Sequence, residues 1–167
     1  MDKVAIMNEA RANYRFEREA KNTEEAKLSF EKYKNDPLFV AGVMLYWAEG
    51  TRLAKYRKYQ LTITNSDPEL LEIYCNFVRR YFTDVDSVFR AALYIYKDID
   101  ESKAKFFWSS RLKIPLNQFI KTQILPSRSL LTKTKLTYGT CCVYINSKDY
   151  LFTMQVWIES VSNIMRR

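Results

Sequence analysis

Residues 42–52 read GVMLYWAEGTR, an apolar run that ends in Ala48-Glu49-Gly50. The composition up to Ala48 predicts a buried helix, and Gly50 is expected to end it in the left-handed conformation that costs glycine little. Glu49 then lies in the last turn, where the helix dipole is already negative and disfavours a second negative charge. A carboxylate placed there needs a partner outside its own helix. A divalent cation is one such partner, and a neighbouring Arg52 is another. The chain contains no histidine, which excludes His-based triads, His general bases and His metal ligands. Acid–base or metal chemistry must therefore rest on carboxylates, lysines or tyrosines. The three cysteines, Cys75, Cys141 and Cys142, show neither zinc-ligand spacing nor a disulfide framework. With only three glycines, the chain has no P-loop and no dinucleotide fingerprint.

A second set of residues could bind rather than react. Arg52, Lys55, Arg57 and Lys58 alternate with Tyr56 and Tyr59, and the stretch QLTITNS follows at once. Its period of two puts Leu61 and Ile63 on one face and Thr62 and Thr64 on the other. Lys133 and Lys135 lie in a basic connection, PSRSLLTKTKLTYG, that has no acid. The net charge of +8 and a pI near 9.3 fit a polyanionic partner such as nucleic acid or an acidic membrane surface. The plain reading of LAKYRKYQ is an edge strand guarded by lysines.

Several elements are needed to position these groups. Asp36-Pro37 predicts a helix start, with Asp36 as N-cap and Pro37 in the first turn, running to Glu49. Gly42 inside that helix costs about 1 kcal/mol relative to alanine and suits close approach of another backbone. A preceding strand and basic turn are expected between Thr51 and Tyr59, then the QLTITNS strand. Ser66-Asp67-Pro68 opens a helix whose apolar residues Leu70, Leu71, Tyr74, Phe77, Val78 and Tyr81 recur at helical spacing. VFRAALYIYKD, residues 88–98, is a strand, and Asp100 caps a short helix ended by Pro115. The LNQFIKTQIL stretch reads either way. GTCCVYINS is a strand whose alternation puts one of Cys141 and Cys142 inside and the other out. Ser147 then caps an amphipathic C-terminal helix. Residues 1–35, rich in alternating Glu and Lys/Arg, predict one or two exposed helices forming an arm. Its plain reading is a solvated charged face, and its functional reading is a DNA-contacting arm. The whole is an α+β chain whose sheet is covered on one face and free for a partner on the other.

The stretch FVAGVMLYWAEGT resembles the signature helix of the LAGLIDADG homing-endonuclease superfamily, whose signature ends Ala-Asp-Gly or Ala-Glu-Gly. The order of the later segments, QLTITNSDPELLEIYCNFVRRYF, FFWSSRLKIP and YGTCCVYINSKDYLF, is similar to that of its single-motif, uncharacterised bacterial and phage relatives. The resemblance covers roughly Asp36 to the C-terminus. It implies an αββαββα unit with an antiparallel sheet and helices on one face, spanning residues 36–167 behind the arm of residues 1–35. It also implies that Glu49 is the acid that binds Mg²⁺ at a scissile phosphate and serves catalysis, with Lys55 or Lys121 stabilising charge. Gly42, Leu45 and Tyr46 would pack the signature helix against a second copy. One signature per chain means that a two-acid site requires a homodimer.

On this reading the protein binds duplex DNA. Arg52, Lys55, Arg57, Lys58, Lys133 and Lys135 would hold phosphates, and Gln60, Thr62 and Thr64 would reach bases. It is then either a Mg²⁺-dependent endonuclease or a non-catalytic DNA-binding regulator; a protein-interaction module is the third class. No small-molecule cofactor is expected. No run of about 18 apolar residues suggests a membrane span, the N-terminus lacks an apolar signal core, and a cytoplasmic home is the expectation.

Overall fold

The computed structural model describes residues 3–51, 59–126 and 136–166. Its elements run α1 (Lys3–Tyr33), α2 (Pro37–Glu49), β1 (Gln60–Asn65), α3 (Pro68–Tyr81), β2 (Arg90–Tyr96), α4 (Glu101–Leu112), β3 (Gln123–Leu125), β4 (Thr140–Asn146) and α5 (Lys148–Met165). The helix starts follow from local chemistry. Asp36 accepts from the Leu38 amide, Asp67 from Glu69 and Leu70, Asp100 from Lys103, and Ser147 from Tyr150. Each cap satisfies amides that the first helical turn leaves without partners. Among the described residues, no helix is long and apolar enough to cross a membrane.

The four strands form one sheet in the order β1-β4-β2-β3. β4 runs antiparallel to β1 and to β2, with Thr62 and Arg90 both opposite Tyr144. β1 and β2 are thus joined through α3 with β4 inserted between them, a split β-α-β arrangement. β3 pairs parallel to β2, because α4 carries the chain back to the same end of the sheet before β3 begins. The sheet is therefore mixed, where an antiparallel one was expected, and the LNQFIKTQIL stretch resolves into a 3₁₀ turn at Leu116–Gln118 followed by β3.

One face of the sheet makes the core. Leu61, Ile63, Leu93, Ile95, Val143 and Ile145 are buried, and α2, α3 and α5 all contact β1. An aromatic cluster welds the helices together, with Phe39 4.8 Å from Trp157 and 5.1 Å from Tyr81 between ring centres. The helix α1 is 31 residues long and docks by its second half only. Ala26 and Phe30 are buried, and the Trp157 indole N–H donates to the Ala26 carbonyl at 3.0 Å. Every residue from Lys3 to Arg18 is exposed.

Candidate nucleic-acid interface

Glu49 ends α2 beside the edge of β1 that faces away from β4. Gly50 forms an antiparallel bridge with Ile63, and the Thr51 amide donates to the Thr62 carbonyl at 3.1 Å. The turn is held by Tyr46, whose hydroxyl donates to the Thr51 carbonyl at 2.7 Å. Burial pushes the Tyr46 phenol up to about 12, so it remains a donor across the ordinary pH range. Gly50 adopts an extended conformation, φ −79° and ψ 156°, and not the expected left-handed one. Glycine is needed there for a different reason: a Cβ would stand 2.5 Å from the Tyr46 carbonyl and 2.6 Å from its ring. The site thus depends on a close approach, not on a positive φ.

Glu49 is exposed and has no hydrogen bond or ion pair with any described residue. Among the described residues, no three Cys, Asp or Glu side chains come together.

The face of the sheet opposite the core is polar and aromatic. Register places Gln60 beside Asn146, then Thr62 beside Tyr144 and Arg90, then Thr64 beside Cys142 and Ala92. The Gln60 amide donates to the Asn146 side-chain oxygen at 2.8 Å, and the Thr62 hydroxyl and Cys142 thiol lie 3.3 Å apart. Tyr94 continues the face on β2, opposite Gln123 of β3. Partial burial, and next the nearby Cys142, push the phenols of Tyr94 and Tyr144 up, so both remain hydrogen-bond donors. No Asp or Glu occurs in any of the four strands. An acid-free face carrying amides, hydroxyls and phenols can approach a phosphate backbone without repulsion and can stack or hydrogen-bond with bases.

Gln60, Thr62 and Thr64 lie on β1, whose alternate residues Leu61 and Ile63 face the core, and Glu49 ends α2 one residue before the Gly50–Ile63 bridge. Arg52, Lys55, Arg57, Lys58, Lys133 and Lys135 lie outside the described residues. Lys121 is exposed just before β3. Gly42 and Tyr46 both pack against residues of the same chain. A Cβ on Gly42 would stand 2.0 Å from Cγ of Phe77, and Tyr46, 1% exposed, stacks on Tyr74 at 6.1 Å. The outward stripe of α2 is Ala41, Met44, Leu45 and Ala48, so Leu45 alone of the three expected packing residues is on the accessible side. Sequence reasoning missed Arg90, Tyr94, Tyr144 and Asn146. The signal was present, since RAALYIY and TCCVYIN alternate as QLTITN does, but it was read for strand type and not for the outward half of each strand. A groove of about 740 Å³ around Phe106, Phe107, Leu116 and Tyr138 contains none of the candidate residues.

Searched against protein-family models, curated proteins and solved structures, the chain has no match in any of the three.

Proposed function

We propose that the protein binds duplex DNA through the open face of its sheet, as a homodimer of LAGLIDADG-like units, and hydrolyses a phosphodiester with Mg²⁺ held by Glu49. The observation that carries the binding reading is the acid-free polar and aromatic face, in a chain with net charge +8. The position of Glu49 supports the catalytic part: an accessible carboxylate without a partner among the described residues, at the end of an apolar helix, beside the edge of that face. The outward stripe of small and apolar residues on α2, Ala41, Met44, Leu45 and Ala48, supports pairing of two such helices, which would bring two Glu49 carboxylates together. Mg²⁺ bound there would supply a Lewis acid at the scissile phosphate and lower the pKa of a bound water. The chain's own part is to present the carboxylate, to reach bases with Thr62, Thr64 and Gln60, and to hold the duplex by phosphate contacts of its basic residues.

A second reading, a regulator that binds without cutting, draws on the absence of a carboxylate cluster among the described residues. The experiment that separates the two is duplex binding across a salt series, with and without Mg²⁺, the same samples being assayed for nicked product. Binding that weakens steeply with salt reports phosphate contacts. On the catalytic reading nicking requires Mg²⁺, and Glu49→Gln removes it while leaving affinity unchanged. Persistent nicking by Glu49→Gln would refute the assignment of Glu49. Binding by both forms with nicking by neither establishes the regulator. No binding at low salt removes both and leaves the protein-interaction module.

A further inference from the structure

The docked and free halves of α1 share one stripe, and its chemistry changes where the helix leaves the domain. In the docked half the stripe is Asn22, Ala26, Ser29, Phe30 and Tyr33, all buried or half-buried. Continued toward the N-terminus at the same spacing, it becomes Arg18, Arg15 and Arg11. At 100° per residue the five cations from Lys3 to Lys21 fall within about 120° of the helix circumference, and Glu9, Glu17 and Glu19 lie outside that sector. Tyr14, exposed, stands in the same sector.

The docked half fixes where this stripe points. α1 runs parallel to α5: Glu19 meets Lys148 at 2.8 Å, the Asn22 amide donates to Asp149 at 3.0 Å, Arg18 pairs with Asp149, and Ala26 meets Trp157. The α5 helix begins directly after β4, so the free half of α1 projects past the end of the sheet that carries Gln60 and Asn146. Lys148 ties this corner together, its ammonium lying 5.6 Å from the Tyr59 ring centre while it pairs with Glu19. The overhang is about 24 Å long at 1.5 Å per residue, and an α-helix of ordinary diameter fits the major groove of B-DNA. A helix of this length with no tertiary support is marginal in water, so a partner on its basic side would also stabilise its conformation.

We infer that the overhanging half of α1 is a second DNA-contacting element, laying Lys3, Arg11 and Arg15 along a duplex that abuts the Gln60–Asn146 end of the sheet. Arg18 is excluded from the contact because Asp149 already takes its charge. The inference rests on the duplex-binding reading above and names the element that extends it.

The test uses the full chain and a 30-base-pair duplex of arbitrary sequence. The variant Lys3→Gln/Arg11→Gln/Arg15→Gln is compared with Lys27→Gln/Lys32→Gln/Lys103→Gln, which removes the same charge from the docked half of α1 and from α4. Each lost phosphate contact lowers the slope of log affinity against log salt by about 0.9. The first variant is expected to lose about 2 to 3 of that slope and on the order of 100-fold in affinity at 0.1 M salt. The second is expected to bind nearly as the parent does, and both to melt as it does, since all six side chains are exposed. Protection of guanine N7 from methylation by the parent, lost in the first variant alone, would place the helix in the major groove. If the parent binds and the first variant binds with the same slope, the inference about α1 is overturned and the sheet reading stands. Equal losses in the two variants would make the effect one of bulk charge and also overturn it. If the parent does not bind at low salt, the duplex-binding reading itself fails. If the first variant loses self-association and keeps DNA binding, the stripe belongs to a second copy and the inference is wrong.

Discussion

Replacing Gly42 by alanine separates two accounts of α2. On helix propensity alone Gly42→Ala stabilises by about 1 kcal/mol, since glycine is the poorer helix former. The structure predicts the opposite sign. The added Cβ would stand 2.0 Å from Cγ and 2.2 Å from Cδ2 of Phe77, so about 1.5 Å must be found to reach ordinary carbon–carbon contact. Phe77 cannot supply it by rotating. It is fully buried, and its ring stands between Phe39 at 6.1 Å, Tyr81 at 5.4 Å, Trp157 at 6.1 Å and Phe82 at 6.2 Å. Overpacking of this kind costs about 1–3 kcal/mol and occasionally more, and contact with an immobile ring centre belongs at or above the upper end. Less the propensity gain, the net loss is about 2–3 kcal/mol, or a fall in Tm of roughly 5–10 °C for a chain of this size. The assay is denaturant unfolding at two protein concentrations tenfold apart. Because the contact is within one chain, the loss should not depend on concentration. Phe77→Leu in the same chain should relieve the clash, so that the double variant is more stable than the two separate losses would give by at least about 1 kcal/mol. A stabilised Gly42→Ala would show that the glycine faces open space. A loss that grows on dilution would move the contact to an interface between copies.

Two further outcomes test the face and the core. Cys142 should be the one thiol that a disulfide reagent modifies in the native protein, since Cys75 and Cys141 are fully buried and Cys142 is part-exposed on the open face; duplex DNA should slow its modification, and three thiols should react after unfolding. Equal labelling with and without a bound duplex would place the DNA elsewhere. Stability should fall on the alkaline side, because burial pushes the Cys75 thiol up to about 12 and the Cys141 thiol up as well. Both thiols are neutral in both states below about pH 8; above it the unfolded chain ionises and the folded one does not, so each removes about 2 kcal/mol by pH 10 and the pair about 4. Denaturant midpoints at pH 7.5, 9 and 10 measure this, and a flat profile would mean that the two thiols reach solvent.

The local features of this chain were legible in its order of residues. Asp36, Asp67, Asp100 and Ser147 cap helices because each side-chain oxygen reaches an amide two or three residues away, a contact that no distant part of the chain must supply. The alternation of QLTITN, RAALYIY and TCCVYIN determined which side chains share a face, and that Cys141 and Cys142 lie on opposite ones, because a strand's period is two whatever it pairs with; that Cys141 is the inward one came from the packing. The charge pattern of α1 was equally plain. Tertiary structure decided everything that depends on contacts far apart in the chain. Gly42 was set by Phe77, 35 positions later. The insertion of β4 between β1 and β2, and the parallel pairing of β3, are choices among pairings that the same alternation permits equally. The basic stripe of α1 acquired a direction only because Ala26 and Phe30, further along that stripe, are held against α5. Short-range hydrogen bonds and periodicity can be read from neighbours in sequence, whereas packing is a property of neighbours in space.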